Sequence, residues 1–179
     1  MIIFKNYLNM LYNDENKPKV IHLNIAYGKL MQYVGKDQPQ IPHNSVEGVL
    51  TGIKTVTKMI KNRPYRYLYV YMKDGDENYS IQVPLFKSAG PNIILSLKSA
   101  LDNKALPGKK VKIYTYQKET ESDTFTNATV YLDGEKLSWA SLPPDEDRED
   151  AIEHIAEEIR LFLEKEGGPS PLDELTKDD

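Results

Sequence analysis

From Tyr65 to Met72 the chain alternates aromatic and aliphatic side chains almost without interruption: Tyr65-Arg66-Tyr67-Leu68-Tyr69-Val70-Tyr71-Met72. Successive strand side chains point to opposite faces, so the pattern predicts a strand with Tyr65, Tyr67, Tyr69 and Tyr71 on one side and Leu68, Val70 and Met72 on the other. The aliphatic side is the natural core side. The stretch from Tyr65 to Lys73 is turned by Asp74-Gly75-Asp76-Glu77 into a second strand, Tyr79 to Val83. Upstream, Val46 to Lys58 is rich in Val, Ile and Thr and carries Gly48 and Gly52, the sign of a bulged or bent strand. Residues 20–34 predict two short strands about Tyr27-Gly28, followed by a loop with Pro39 and Pro42. After Val83 the period changes: Gly90-Pro91-Asn92 opens a helix with Ile93, Ile94, Leu97 and Leu101 on one face, ended by Pro107-Gly108. Two more strands follow, Val111 to Gln117 and Phe125 to Leu132, with a polar loop at Glu119 to Asp123. A turn at Asp133-Gly134 then leads into Leu137 to Trp139.

Without the N-terminal hairpin, the order is strand, strand, strand, helix, strand, strand, with a long glycine-bent first strand. That order predicts a mainly β fold, a five-stranded OB-fold barrel with one helix between strands 3 and 4. Another small barrel or sandwich with one helix fits the same elements. Beyond Trp139, Pro143-Pro144 breaks the sheet and Asp145-Glu146-Asp147 supplies acids where a helix begins. Ile152, Ile155, Ile159 and Phe162 recur on one face, predicting an amphipathic helix over 145–166 that packs on the barrel or at a dimer interface. Gly167-Gly168-Pro169 stops it, and the polar stretch 169–179 is expected to be disordered. The expected organisation is a domain over 1–140 that includes the N-terminal hairpin, an acidic helix over 141–168 and an acidic tail over 169–179.

Charge is sorted along these segments. Residues 1–140 hold nineteen Lys and Arg against thirteen Asp and Glu, whereas residues 141–179 hold four against fourteen. A formal charge of −4 therefore conceals a basic body and a strongly acidic end. Such segregation points to a polyanionic partner for the body and to a tail that mimics or competes with it. Cysteine is absent, which removes disulfides, thiolate metal sites and a cysteine nucleophile and fits a reducing compartment. No apolar run reaches the length of a membrane span, and Met1-Ile2-Ile3-Phe4-Lys5 does not read as a signal peptide, so a soluble, cytoplasmic protein is expected.

The basic residues stand beside the tyrosines. Lys54, Lys58, Lys61, Arg63 and Arg66 run along the first long strand and the loop after it, and Lys109, Lys110 and Lys112 open the fourth. Phosphates need cations spaced along a groove, and bases stack on exposed aromatic rings at roughly 1–3 kcal/mol each with little regard to base identity. The expected site is therefore Tyr65, Tyr67, Tyr69 and Tyr71 as stacking platforms, with Tyr114, Tyr116 or Trp139 in support, and Lys54, Lys58, Lys61, Arg63, Arg66 and Lys112 on phosphates. The alternative is that the rings pack under the N-terminal hairpin or a partner subunit, tyrosine being favoured in strands. Lys104 and Lys136 read as solvated surface. His22, His43 and His154 are scattered, and no Walker loop or G-x-S-x-G is present, so neither catalysis nor a metal or other cofactor is expected.

The run Val46-Glu47-Gly48-Val49-Leu50-Thr51-Gly52-Ile53, the Tyr-rich second strand with its hairpin to Tyr79–Val83, the Ser88–Leu101 helix and the Val111–Tyr116 strand together resemble OB-fold single-stranded DNA-binding proteins of bacteriophages and mobile elements. The resemblance covers about residues 20–140. It implies sequence-independent binding and protection of single-stranded DNA during replication or recombination, in the bacterial host cytoplasm if the chain is phage-encoded, with homo-oligomerisation possible. The acidic end is similar in kind to tails that recruit replication and recombination proteins, which implies that Asp173, Glu174, Asp178 and Asp179 regulate binding and recruit partners. Many such tails end in an aromatic residue, whereas this one ends Leu175-Thr176-Lys177-Asp178-Asp179. Two other readings fit the same residues: a protein-interaction or oligomerisation module, and an RNA-binding OB protein distinguished by contacts to the 2′-hydroxyl.

Overall fold

A computed structural model of the chain describes residues 19–87 and 89–167. Their strands are β1 (Val20–Ala26), β2 (Lys29–Gln32), β3 (Ile41–His43), β4 (Ser45–Ile60), β5 (Arg63–Asp74), β6 (Glu77–Pro84), β7 (Lys110–Glu119), β8 (Thr124–Leu132) and β9 (Glu135–Lys136). Helix α1 (Ala89–Asp102) joins β6 to β7, and α2 (Arg148–Gly167) follows the last strand. The fold is mainly β. The strands form one mixed sheet in the order β3-β2-β1-β6-β5-β4-β7-β8-β9.

The expected strand–strand–strand–helix–strand–strand series is β4-β5-β6-α1-β7-β8. Long β4 is the hinge of this arrangement. Its first half pairs antiparallel with β7 (Ser45 opposite Tyr114 through Val49 opposite Lys110), and from Val49 onward it pairs with β5. The register slips between Leu50 and Gly52, a bulge at one of the two glycines of the strand. An extra residue there bends the strand and exchanges the faces of odd and even positions, which lets one strand serve two neighbours. The five expected strands are embedded in a larger sheet, because the outer edge of β6 is taken by β1, in parallel, from Val20 opposite Asn78 to Asn24 opposite Gln82. A short strand, Ile41–His43, lies within the expected proline loop and pairs with β2. It was not legible because Pro39 and Pro42 mask so brief a pairing.

The sheet is curled. Only Asn44 separates β3, at one margin, from β4 in the middle, and its carbonyl accepts a hydrogen bond from the Thr115 amide (2.9 Å). At the β1–β2 turn the Gly28 amide donates to Thr126 Oγ1 on β8 (3.0 Å). Inside the curve lies one core. Leu68, Val70 and Met72 of β5, Ile81 of β6, Ile113 of β7 and Val130 of β8 are fully buried against Ile93, Ile94 and Leu97 of α1.

Helix α2 begins where Asp147 Oδ1 accepts from the amides of Glu149 (2.9 Å) and Asp150 (3.3 Å), an N-cap that replaces the start expected at 145. It buries Ile152, Ile155, Ile159 and Leu163 while packing on β4 and α1. Phe162 is partly buried against the same core. Lys98 of α1 ties the helices together, donating to Asp102 (2.7 Å) and to Glu158 of α2 (2.8 Å). Among the described residues no helix is long and apolar enough to cross a membrane.

Candidate nucleic-acid interface

Strand register settles which side chains share a face. Opposite Tyr65, Tyr67, Tyr69 and Tyr71 stand Lys58, Val56, Lys54 and Gly52 of β4. On the other flank Pro84, Gln82 and Ser80 of β6 stand opposite Tyr67, Tyr69 and Tyr71. The reverse side carries Leu68, Val70 and Met72, all at 0% exposure, so the tyrosines occupy the outer face as alternation requires. Exposure along the row is graded. Tyr65 is 38% exposed, Tyr67 and Tyr69 are half-buried, and Tyr71 is only 6% exposed. The rings of Tyr69 and Tyr71 are stacked, with centroids 6.4 Å apart and planes at 22°. Tyr71 is therefore part of the packing, Tyr65 is the most exposed ring of the row, and Tyr67 and Tyr69 each keep part of their surface accessible.

Lys58 joins the charge to the rings. Its ammonium nitrogen lies 5.6 Å from the centre of Tyr67 and 5.3 Å from that of Tyr69, within cation–π range. It also donates to Gln82 Oε1 (3.0 Å), which accepts a second hydrogen bond from the Tyr69 hydroxyl (2.6 Å). Gln82 was not singled out in the sequence. Its one signal was its place at an outward position of the strand next to the tyrosines, which needs the register to be known.

The β4–β5 hairpin runs past the end of β6, whose pairing with β5 begins at Tyr67. Lys61 and Asn62 close this arm with φ of 49° and 60°, the two-residue turn whose twist suits a hairpin. Lys61 and Arg63 are exposed at its tip. Arg66 stands apart from the other predicted cations. It is opposite Thr57, on the side of Leu68, where its guanidinium donates to Thr57 Oγ1 (2.9 Å) and Thr55 Oγ1 (3.2 Å) and pairs with Glu153 of α2. Its even number, shared with Leu68 and Val70, already placed it opposite the tyrosines.

Because the bulge exchanges parity, Ser45, Glu47 and Val49 share the outer face with Lys54 and Lys58. Lys73 and Lys110 flank Val49, Lys112 stands opposite Glu47, and Tyr114 stands opposite Ser45. Tyr114 (39% exposed) is stacked with Tyr116 at 6.0 Å and 22°. The two aromatic groups thus lie toward opposite ends of β4 on one face, with Lys73, Lys110 and Lys112 between them. Lys110 is engaged by Asp74 (3.2 Å). Trp139, 58% exposed, belongs elsewhere: on either side of it Ser138 bonds Ser99 (3.3 Å) and the Ala140 amide donates to the Leu95 carbonyl (3.0 Å), both on α1.

The N-terminal hairpin lies beside this face. Asn24 of β1 is opposite Gln82 and His22 is opposite Ser80, so β1 and β2 extend the sheet sideways in place of covering the tyrosines. The tail residues Asp173, Glu174, Asp178 and Asp179 lie outside the described residues. Among the described residues no group of three or more His, Asp or Glu side chains is placed to hold a metal ion. No family model matches this chain, and neither a curated protein nor a solved structure matches it.

Proposed function

We propose that this protein binds single-stranded DNA without regard to sequence, along the outer face of β4, β5 and β6, and protects unwound strands during replication or recombination. The observation that carries the reading is the interleaving of Lys54 and Lys58 with Tyr65, Tyr67 and Tyr69 across two paired strands, on the face opposite the core. Cations that meet phosphates and rings that stack bases are what a single strand requires, and their mixture distinguishes such a channel from a merely basic patch. Tyr114, Tyr116, Lys73 and Lys112 continue the path along β4. Lys61 and Arg63 meet phosphates from the arm, whereas Arg66 braces the arm from behind.

An OB-type barrel is part of this reading. The pairing of a long bulged strand with both β5 and β7, and the helix between β6 and β7, support it. In this version the β1–β2 hairpin occupies the edge of the third strand. The acidic end competes for the basic face when DNA is absent and recruits replication or recombination proteins when DNA displaces it.

The test is a titration of the intrinsic Tyr and Trp fluorescence with oligo(dT) and with duplex of equal length at two salt concentrations. Salt-sensitive quenching by the single strand is expected. A protein that responds to neither overturns the proposal and leaves an interaction module in its place.

A further inference from the structure

We infer that the tip of the β4–β5 arm is a strand-separating pin, which seats at a junction of duplex and single-stranded DNA, holds one strand on its front and keeps the complementary strand off. The inference rests on the single-strand binding proposed above and adds an activity to it.

Two aliphatic side chains stand bare next to the turn: Met59 is 66% exposed and Ile60 42%. Met59 is opposite Pro64 and Ile60 opposite Arg63, so they lie on opposite sides of the arm, Ile60 on the side of Lys58 and the tyrosines, Met59 on the side of Thr57 and Arg66. A projecting hairpin gains nothing in water from such residues, because exposed apolar surface is unfavourable unless something covers it. The chemistry around them names the occupant. Between Glu47 and Asp74 the chain carries six cations (Lys54, Lys58, Lys61, Arg63, Arg66, Lys73) and no acid. Apolar side chains delivered by a basic arm suit nucleobases, which unstack around inserted aliphatic wedges while their phosphates are held by the flanking cations.

The two sides of the arm differ in a way that a simple clamp does not need. The front presents Lys58 and the outward tyrosines, Tyr65 the most exposed of them. Behind it Arg66 is neutralised by Glu153, and α2, which packs on β4, carries seven acids against three bases from Arg148 to Gly167. A strand on the front is attracted, and its complement, displaced toward the back, meets negative charge. The arm therefore favours the open junction over the closed one.

The test uses the full chain and a forked duplex with a single-stranded oligo(dT) arm and 2-aminopurine at the first paired position. Wild-type protein should bind oligo(dT) and raise the 2-aminopurine fluorescence as the first pairs open. The double variant Met59→Ser, Ile60→Ser should keep its circular dichroism spectrum and bind oligo(dT) within about threefold of wild type, as exposed substitutions do, yet lose most of that rise. Opening by the variant equal to wild type overturns the inference. So does a wild type that binds oligo(dT) without opening the junction, and in that case the binding proposal survives. If wild type fails to bind oligo(dT), both fall. A change in sedimentation of the double variant with junction opening unaltered reassigns Met59 and Ile60 to a contact between copies of the chain.

Discussion

Lys58 and Tyr69, on neighbouring strands, converge on one atom: the ammonium group and the phenol hydroxyl both donate to Gln82 Oε1, with the lysine nitrogen 5.3 Å from the tyrosine ring centre. The three side chains come from β4, β5 and β6, so the contact locks a cation over the rings while leaving its remaining protons for a phosphate. Replacing Lys58 with alanine should weaken oligo(dT) binding and reduce the log–log salt slope by about 0.7, the share of one single-strand phosphate. An unchanged slope would remove Lys58 from the phosphate path.

The graded burial of the tyrosine row separates two effects of the same substitution. Tyr67→Ala should cost about 1–3 kcal/mol of oligo(dT) binding, the worth of one stacked base, with a small effect on urea unfolding. Tyr71, at 6% exposure, should behave as a core ring. Its alanine variant should lose about 3–5 kcal/mol of stability, as large core aromatics do. Equal stability losses at the two positions would contradict the assignment of Tyr71 to the packing and Tyr67 to the surface.

At Gly28 the backbone has φ of +71°, and an added Cβ would stand 2.6 Å from both the amide nitrogen and Cγ of Gln117. The left-handed conformation and the close approach of the β1–β2 turn to β7 act together, so Gly28→Ala should destabilise the fold by about 1–3 kcal/mol. Chemical denaturation measures it. A neutral substitution would mean that this turn does not hold the curl of the sheet.

Tyr79 gives a test by titration. Its hydroxyl donates to the Glu77 carboxylate, and this hydrogen bond, helped by partial burial, raises its pKa from 10.0 to about 12. The folded value lies above the unfolded one, so the stabilisation is complete below about pH 10 and disappears as the pH climbs through about 12. In the tyrosinate absorbance difference between wild type and Tyr79→Phe, this ring should ionise well above the ordinary phenol range, and Glu77→Gln should bring it down. An ordinary midpoint would show that the pair does not form.

Deleting residues 169–179 removes four acids and one lysine. The truncated chain should bind oligo(dT) more tightly, most clearly at low salt where charge competition is least screened. Equal affinity with and without the segment would end the competition idea.

The alternation from Tyr65 to Met72 was enough to place the tyrosines outside and Leu68, Val70 and Met72 inside, because a strand's period of two leaves no other choice once one set is aliphatic. The same rule puts Arg66 on the side away from the row, although its charge grouped it with the phosphate-binding cations in the sequence. It could not tell that Tyr71 is covered, since burial depends on the residues that neighbouring strands bring beside it.

By itself, then, the sequence determined the order of the longer strands and the helices, the core face of β5 and of the helices, and the sorting of charge, all of which are local or compositional properties. Tertiary structure alone decided that β1 joins the edge of β6, that Gln82 gathers Lys58 and Tyr69, that Glu153 engages Arg66 and that Trp139 lies with α1. Each of these relations links residues from different elements. Their partners are chosen by sheet register, by the bulge that exchanges the faces of β4 and by the curl that brings distant edges together, and none of these is written in the period of any single segment.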